Sequence, residues 1–451
     1  MGNIARLIDW FKQSWARQLE PAAIEDACRE AGHRYRKRML DPVSTLQLFL
    51  LQVLHGNTAC QHLPHMTGMK FSASAYCQAR ARLALEVFQS LLRRMCAAFQ
   101  QDLLDEGRWR GHRTFLLDGS AFSMPDTSPL QERFGQPGAQ KPGCGFPVAH
   151  LLACFHAGTG LLTRVLAAPL RTHDMAQAAQ MQADLREGDL ILADRGFCSF
   201  AHLALLLRKT MHAVFRVHQR VIVDFTPHRP HAIPGRGKNE RKKGLPRSRW
   251  LRRLGVQDQL VEWFKPVERP KWMSEEDFAA LPASITVREL RYRVGRRGFR
   301  VQEVTLVTTL LDAEAYPLEA LAELYGRRWE VETHLAELKR TMKMDVLHCE
   351  TPDGVLKELA VFAMAYNLVR CVMLESAARQ GVAVERVSFI DALRWLQAFP
   401  DGKPIDKLHR NRHRPNRLDP RVRKRRPKQY PLMQRPRAEL RQVLECQGVI
   451  P

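Results

Sequence analysis

Acidic residues are scarce in this chain. Only 47 Asp and Glu stand against 70 Lys and Arg, a formal net charge of +23 with a pI near 10.0. A chain so biased repels cations and attracts a polyanion. Nucleic acid is the expected partner, and an anionic membrane surface is the weaker alternative. Also missing is an apolar run of the roughly 20 residues that a membrane span needs. Leu359 to Leu374 comes nearest and is interrupted by Asn367 and Arg370, so no membrane partner is expected. The ten cysteines form no CxxC pair and show no regular spacing, which argues against a disulfide framework and for a reducing cytoplasm. Cys60, His62 and His65 lie close together, but no second ligand pair follows, and structural zinc wants four ligands. The first 15 residues read as an amphipathic helix rather than a signal peptide. Internal repeats are absent.

What is present is unevenly placed. From Lys403 to Arg441 there are 15 Lys and Arg against 3 Asp and Glu, and from Arg236 to Arg253 there are 9 against 1. The remainder is nearly neutral, as a folded domain would be.

Residues 1–105 repeat apolar side chains at three- and four-residue spacing and read as a helical, DNA-binding domain. Ser72 or Ser74 could cap a helix carrying Gln78, Arg80 and Arg82, side-chain types that read base edges and phosphates. An amphipathic helix with a solvated basic face explains the same residues. The period then changes. RTFLLDGSAF, GFPVAHLLACFHAG, GLLTRVLAAPL, GDLILADRGF and MHAVFRVHQ read as strands, with helices at MAQAAQMQADL and SFAHLALLLRKT. That order predicts an α/β sheet covered by helices. Residues 219–298 are irregular and basic and read as an inserted β-rich subdomain holding Trp250, Trp263 and Trp272. A long helix is expected from about Pro317 to Met342, with a second one packed behind it. Residues 399–451 read as a basic, poorly ordered or extended arm.

Two carboxylates stand out. Asp118 follows TFLL and precedes Gly119; Asp194 follows LILA and precedes Arg195 and Gly196. Each is expected at the end of a hydrophobic strand, where open α/β sheets bind ligands. One such Asp could simply cap a turn; two on one sheet favour a metal site. The long helix supplies a third group. At about 100° per residue and with Tyr325 as zero, Arg328 falls near −60°, Glu332 near −20° and Lys339 near −40°. Glu330, Glu337 and Glu323 fall near 140°, 120° and 160°, on roughly the opposite side. Tyr325, Arg328, Glu332 and Lys339 thus form one polar ridge beside an apolar stripe. Ordinary charge pairs on a solvated face would not gather a Tyr, an Arg and a Lys around one Glu.

YGRRWEVETHLAELK resembles the Tyr-Arg-Glu-Lys signature of bacterial DDE transposases of insertion-sequence family four. LLDGSAF and LADRGF resemble that family's two Asp motifs, QARARL a segment ahead of its catalytic domain, and RKRRPKQYPLMQRPR its basic ending. The resemblance covers about residues 45 to 440. It implies a ribonuclease-H-like catalytic core in two parts, residues 106–218 and 299–398, around the β-rich insertion. It implies Asp118, Asp194 and Glu332 as catalytic acids holding two Mg2+ ions, with Mn2+ able to substitute. Tyr325, Arg328 and Lys339 would hold DNA phosphates, and Arg195 is a further expected DNA contact. Some relatives trap a flipped base on a Trp of the insertion, for which the three tryptophans are equal candidates. Two metals about 3.5–4 Å apart would support hydrolysis at the ends of an insertion sequence and then joining of the 3′ hydroxyl to target DNA. Two ends must meet, so a homodimer on double-stranded DNA is expected, in a bacterial cytoplasm beside the nucleoid. A nuclease of the same fold that cuts without joining, or a catalytically silent DNA-binding derivative, is the alternative.

Overall fold

The structure, a computed structural model, describes residues 17–105, 107–170, 172, 174–181, 185–218, 220–232, 244–294, 302–398, 405–410 and 433–447. The expected N-terminal amphipathic helix, part of the Arg236–Arg253 run and most of the Lys403–Arg441 run lie outside these residues.

The chain opens with helices α1 (Pro21–Glu30), α2 (Pro42–Leu54), α3 (Leu63–Thr67), α4 (Ala73–Arg82) and α5 (Leu85–Asp102). Their starts are written in the sequence. Pro occupies a first-turn position in α1 and α2, where its missing N–H costs no helix bond. The Asp41 carboxylate accepts from the Ser44 N–H at 2.8 Å, and Ser72 rather than Ser74 caps α4 by accepting from the Ala75 N–H at 3.1 Å. The stripe Val87, Phe88, Leu91, Met95 and Phe99 of α5 is buried, and Phe88 meets Phe49 of α2 edge-on at 6.2 Å.

Next come β1 (Thr114–Ser123), α6 (Ser128–Phe134), β2 (Val148–His156), β3 (Leu162–Pro169), α7 (Asp174–Met181), β4 (Leu190–Ala193), α8 (Phe200–Arg208) and β5 (His212–Arg216). They are followed by β6 (Ser248–Gly255), β7 (Asp258–Phe264), α9 (Glu275–Ala279), β8 (Ser284–Val294) and β9 (Gln302–Thr308). All nine strands join one sheet in the order β3-β2-β1-β4-β5-β9-β8-β7-β6. β1, β2 and β3 form an antiparallel meander, while β4 and β5 run parallel to β1. β4 is buried at every position, as a short central parallel strand should be. The segment 219–298 contributes β6, β7 and β8, which continue the same sheet through β9.

The long helix expected over 317–342 is not uniform. It consists of α10 (Leu318–Gly326), a 3-10 turn (Arg327–Trp329), α11 (Glu330–Ala336) and a π turn (Glu337–Thr341). A 3-10 turn advances about 120° per residue and a π turn less than 100°, so the two departures offset each other along the ridge. The segment after the π turn bonds to the end of β1: Ser123 N–H donates to Asp345 O at 3.0 Å, and Leu347 N–H to Ser123 O at 2.9 Å.

Helix α12 (Pro352–Gln380) runs behind this assembly, followed by α13 (Phe389–Ala398). It is long and apolar enough to cross a membrane by length and composition, yet 89% of its apolar window is buried in the protein. Its buried polar groups explain why it is not apolar throughout. Asn367 donates to Leu162 O and accepts from Leu162 N–H, both at 2.9 Å, and Arg370 donates to Thr159 O at 2.7 Å. The buried Glu358 accepts from Asn57 at 2.7 Å and from the N–H groups of His348 and Cys349. These bonds pin β3 and the 345–349 segment to one rod. In the expected arm, residues 437–446 form a helix, α14 (Arg437–Cys446), all of it exposed; Leu440, Val443 and Leu444 give it an i, i+3, i+4 apolar face within an otherwise basic region.

Candidate active site

Asp118 lies in the middle of β1, not at its end as the apolar run suggested. The antiparallel partner β2 carries the strand on past it, pairing Asp118 with Ala153. What ends there is the parallel pairing with β4, whose last pair is Leu117 with Ala193. The next residue on each chain is an acid, Asp118 and Asp194. Neighbouring strands are spaced by about 4.8 Å, so the two carboxylates start from adjacent backbones.

Both are aimed by local bonds. Gly119 N–H donates to Asp118 Oδ1 at 2.8 Å, and Gly196 N–H to Asp194 Oδ1 at 2.7 Å. A Cβ on Gly196 would stand 3.0 Å from that Asp194 oxygen, a tight contact that a larger residue could make only by shifting the carboxylate. Burial pushes the Asp118 carboxyl up to about 6; the Gly119 N–H and Arg328 oppose this, and Asp194 and Glu332 add to it.

The ridge reaches across to β1. Arg328 stands 3.6 Å from Asp118 and 3.6 Å from Glu332, so one guanidinium bridges the first and third acids. Its Nε is buried with no hydrogen-bond partner among the described residues. Lys339 donates to Ser120 Oγ at 3.0 Å, and burial holds its ammonium below the usual lysine value. Tyr325 is 7% exposed and its ring centroid lies 5.9 Å from the Arg328 guanidinium, a place better suited to supporting Arg328 than to meeting a phosphate itself. Asp118, Ser120, Glu332, Lys339, Arg340 and Asp345 line a cavity of about 380 Å³.

Three hard-oxygen acids suit a divalent ion such as magnesium or manganese. Among the described residues, however, no three His, Cys, Asp or Glu side chains already stand close enough to share one metal ion. Arg328 occupies the place between Asp118 and Glu332, so the acids suit a divalent ion by their chemistry but are not gathered around one site here.

Glu330 and Glu337 do lie away from the ridge, but not in solvent. Glu330 pairs with Arg327 at 3.0 Å, and Glu337 faces His334 at 3.5 Å and the buried Arg370 at 3.9 Å. Arg195, beside Asp194, is exposed. In α4, Gln78 and Arg82 are exposed, but Arg80 turns inward. It donates to Gln52 Oε1 at 2.9 Å and lies 4.3 Å over the Phe49 ring, so it joins α4 to α2 rather than facing a groove.

Two residues were not singled out from the sequence. Asp345 adds a third acid to the cavity wall beside Asp118 and Glu332, from a segment with no periodic signal; Asp194 does not line that cavity. Trp329 is 63% exposed, its ring centroid 5.4 Å from the Arg328 guanidinium. Its place inside RRWE was a legible hint. The tryptophans of the insertion are instead packed: Trp263 donates to Glu289 at 2.8 Å, Trp250 lies against His228, and Trp272 packs on the core.

Residues 109–368 match the family described as the transposase DDE domain. A curated relative, "Transposase InsG for insertion sequence element IS4" of Escherichia coli K12, is 27% identical over 384 residues, covering 79% of this chain and 78% of the relative. Among solved structures, a piggyBac transposase synaptic complex with hairpin DNA is 13% identical with a TM-score of 0.43, over 88% of this chain and 77% of that one. With its matched region spanning both Asp motifs and the Tyr-Arg-Glu-Lys helix, the chain belongs to the DDE transposases, in the insertion-sequence type that IS4 represents.

Proposed function

We propose that this transposase binds the ends of its element, hydrolyses DNA there and joins the freed 3′ hydroxyls to target DNA, with Asp118, Asp194 and Glu332 as the catalytic acids. The observation that carries the reading is the bridge of Arg328 to Asp118 and Glu332 at 3.6 Å each, which joins the helix signature to the first Asp motif. DDE transposases depend on a divalent metal; here two Mg2+ ions, or Mn2+, held by the three acids would activate the attacking oxygen and stabilise the leaving one.

The chain's own side chains do the positioning. Arg328 has an unpartnered donor and turns from the carboxylates to a DNA phosphate, which frees Asp118 and Glu332. Lys339, fixed by Ser120, neutralises a second phosphate oxygen. Tyr325 braces Arg328 from below. Arg195 contacts the strand leaving Asp194. Trp329 offers an exposed face on which an unpaired base can stack. No nucleophilic side chain is needed, because water and then the DNA hydroxyl attack.

We assign β1 to β5 with α10 to α12 to a ribonuclease-H-like core, residues 219–298 to its β-rich insertion, and residues 1–105 with the basic C-terminal region to DNA binding. Two ends require two catalytic centres, so a homodimer on DNA is the working assembly. The test is incubation of purified protein with labelled element ends, a target plasmid and Mg2+. Cut and joined products are expected. Cutting without joining would leave a nuclease, and binding alone would leave a silent derivative.

A further inference from the structure

A further concentration of positive charge surrounds a cleft in the N-terminal helical region. Between α1 and α2 the chain runs without helix or strand through His33-Arg-Tyr-Arg-Lys-Arg38. Arg34, Arg36 and Arg38 from this segment and Arg82 at the end of α4 line a cavity of about 470 Å³ floored by Leu40 and Leu83. All four arginines are exposed, and none makes an ion pair or hydrogen bond among the described residues. The acid in the wall, Asp41, has its carboxylate engaged by the Ser44 N–H at 2.8 Å.

The cleft is built rather than incidental. Lys357 of α12, 3% exposed at its side chain, donates to Ala81 O at 3.1 Å and Arg80 O at 3.4 Å, which fixes the last turn of α4 and so the base of Arg82. Its ammonium is itself paired with Asp353 of the same helix, so it anchors α4 rather than adding charge to the cleft. Across the cleft, His33 and Tyr35 stack with centroids 6.0 Å apart and steady the segment between the arginines. Lys37 points elsewhere and is paired with Glu25 at 3.2 Å. The cleft wall therefore takes His33, Arg34, Tyr35, Arg36 and Arg38 from this segment, while the one lysine is tied to α1.

Four exposed guanidinium groups around one cleft suit a phosphate backbone, which carries one negative charge about every 3.4 Å of axis on each strand. A small-molecule anion would not need four guanidinium groups spread along a groove, and a protein partner would have to supply matching acids at that repeat. We propose that this cleft is a second DNA contact, gripping the phosphates of one duplex strand without reading its sequence. It rests on the transposase reading for its ligand, and it assigns Arg82 to phosphate rather than to a base edge.

The test uses full-length protein and a short blunt duplex of arbitrary sequence, with affinity measured across a range of salt. Arg36→Gln should reduce the slope of log affinity against log salt by about 0.9, and the combined Arg34→Gln, Arg36→Gln and Arg38→Gln by about 2.7. Lys37→Gln should leave the slope unchanged, although it removes the same net charge from the same segment. Equal changes for Arg36→Gln and Lys37→Gln would reduce the cleft to bulk charge and overturn the proposal. So would an unchanged slope in Arg36→Gln, or a change seen only on element-end duplex. Should the triple variant fail to fold, the two single variants decide the matter. Wild-type cleavage of element ends, run in parallel, separates the two readings: an unchanged slope beside active cleavage removes the cleft alone, whereas absent cleavage removes the transposase mechanism and leaves the slope comparison standing.

Discussion

Asp118→Asn should make the metal-free protein more stable at neutral pH while abolishing DNA cleavage. The Asp118 carboxyl is pushed from 3.8 to about 6, chiefly because burial disfavours its charged form, and its side chain is 21% exposed. The folded state therefore holds this proton more tightly than the unfolded state does. Between pH 3.8 and about 6 the folded protein binds more protons, so stability contributed by the neutral acid is present below pH 3.8 and is lost as pH rises through 6. At about 1.4 kcal/mol per unit, the full penalty above pH 6 is on the order of 3 kcal/mol. Asparagine keeps the shape and the acceptor for the Gly119 N–H, and it carries no charge to desolvate. Urea denaturation in EDTA should give curves that coincide below pH 3.8 and separate by about that amount at pH 7, with the variant the more stable. Mg2+ at about 1,000 times its Kd should reverse the order, because a ligand at that excess stabilises its binder by about 4.1 kcal/mol and the variant lacks a metal-binding charge. A variant no more stable than wild type at pH 7, or a difference independent of pH, would refute the argument that desolvation loads this acid.

Asp194→Asn and Glu332→Gln should each abolish cleavage in Mg2+ and leave binding to element ends largely intact, as gel-shift and cleavage assays on the same preparations would show; retained cleavage removes that residue from the site. Glu330→Gln and Glu337→Gln, which a solvated face would render silent, should instead cost about 1–3 kcal/mol in urea denaturation, because Arg327 and the buried Arg370 lose a charged partner. Their cleavage rates at a permissive temperature should stay near wild type. Trp329→Ala should change stability by less than about 0.5 kcal/mol, since the ring is 63% exposed. It should weaken binding of DNA with an unpaired base by about 1–3 kcal/mol, and Trp329→Phe should restore most of that; equal binding by all three proteins would exclude a stacking role.

Much was legible in the chain itself, because it depended on short-range periodicity. Alternating and fully apolar runs marked β1 to β5. The 100° step placed Arg328, Glu332 and Lys339 on one ridge, and that ridge faces β1 across the distances of the Arg328 bridge and the Lys339–Ser120 bond. A cap such as Ser72 announced a helix start through a bond spanning three residues. The acids were legible for the same reason: each is followed within two residues by the glycine whose N–H it accepts.

What the tertiary structure decided is what depends on partners distant in the chain. Arg80 looks like an outward base reader until Gln52 and Cys349, 28 and 269 residues away, draw it inward. Glu337 looks solvated until α12 brings Arg370 against it. Asp118 looks like the end of a strand because local hydropathy stops there, whereas antiparallel pairing with β2 continues the strand and only the parallel pairing with β4 ends. Asp345 enters the cavity wall through backbone bonds to Ser123, more than two hundred residues earlier. Local patterns reflect the repeat of a helix or a strand, which a few residues suffice to specify. The surroundings of a charged side chain are set by which elements pack against it, and here those contacts were made by α12, β2 and the 345–349 segment.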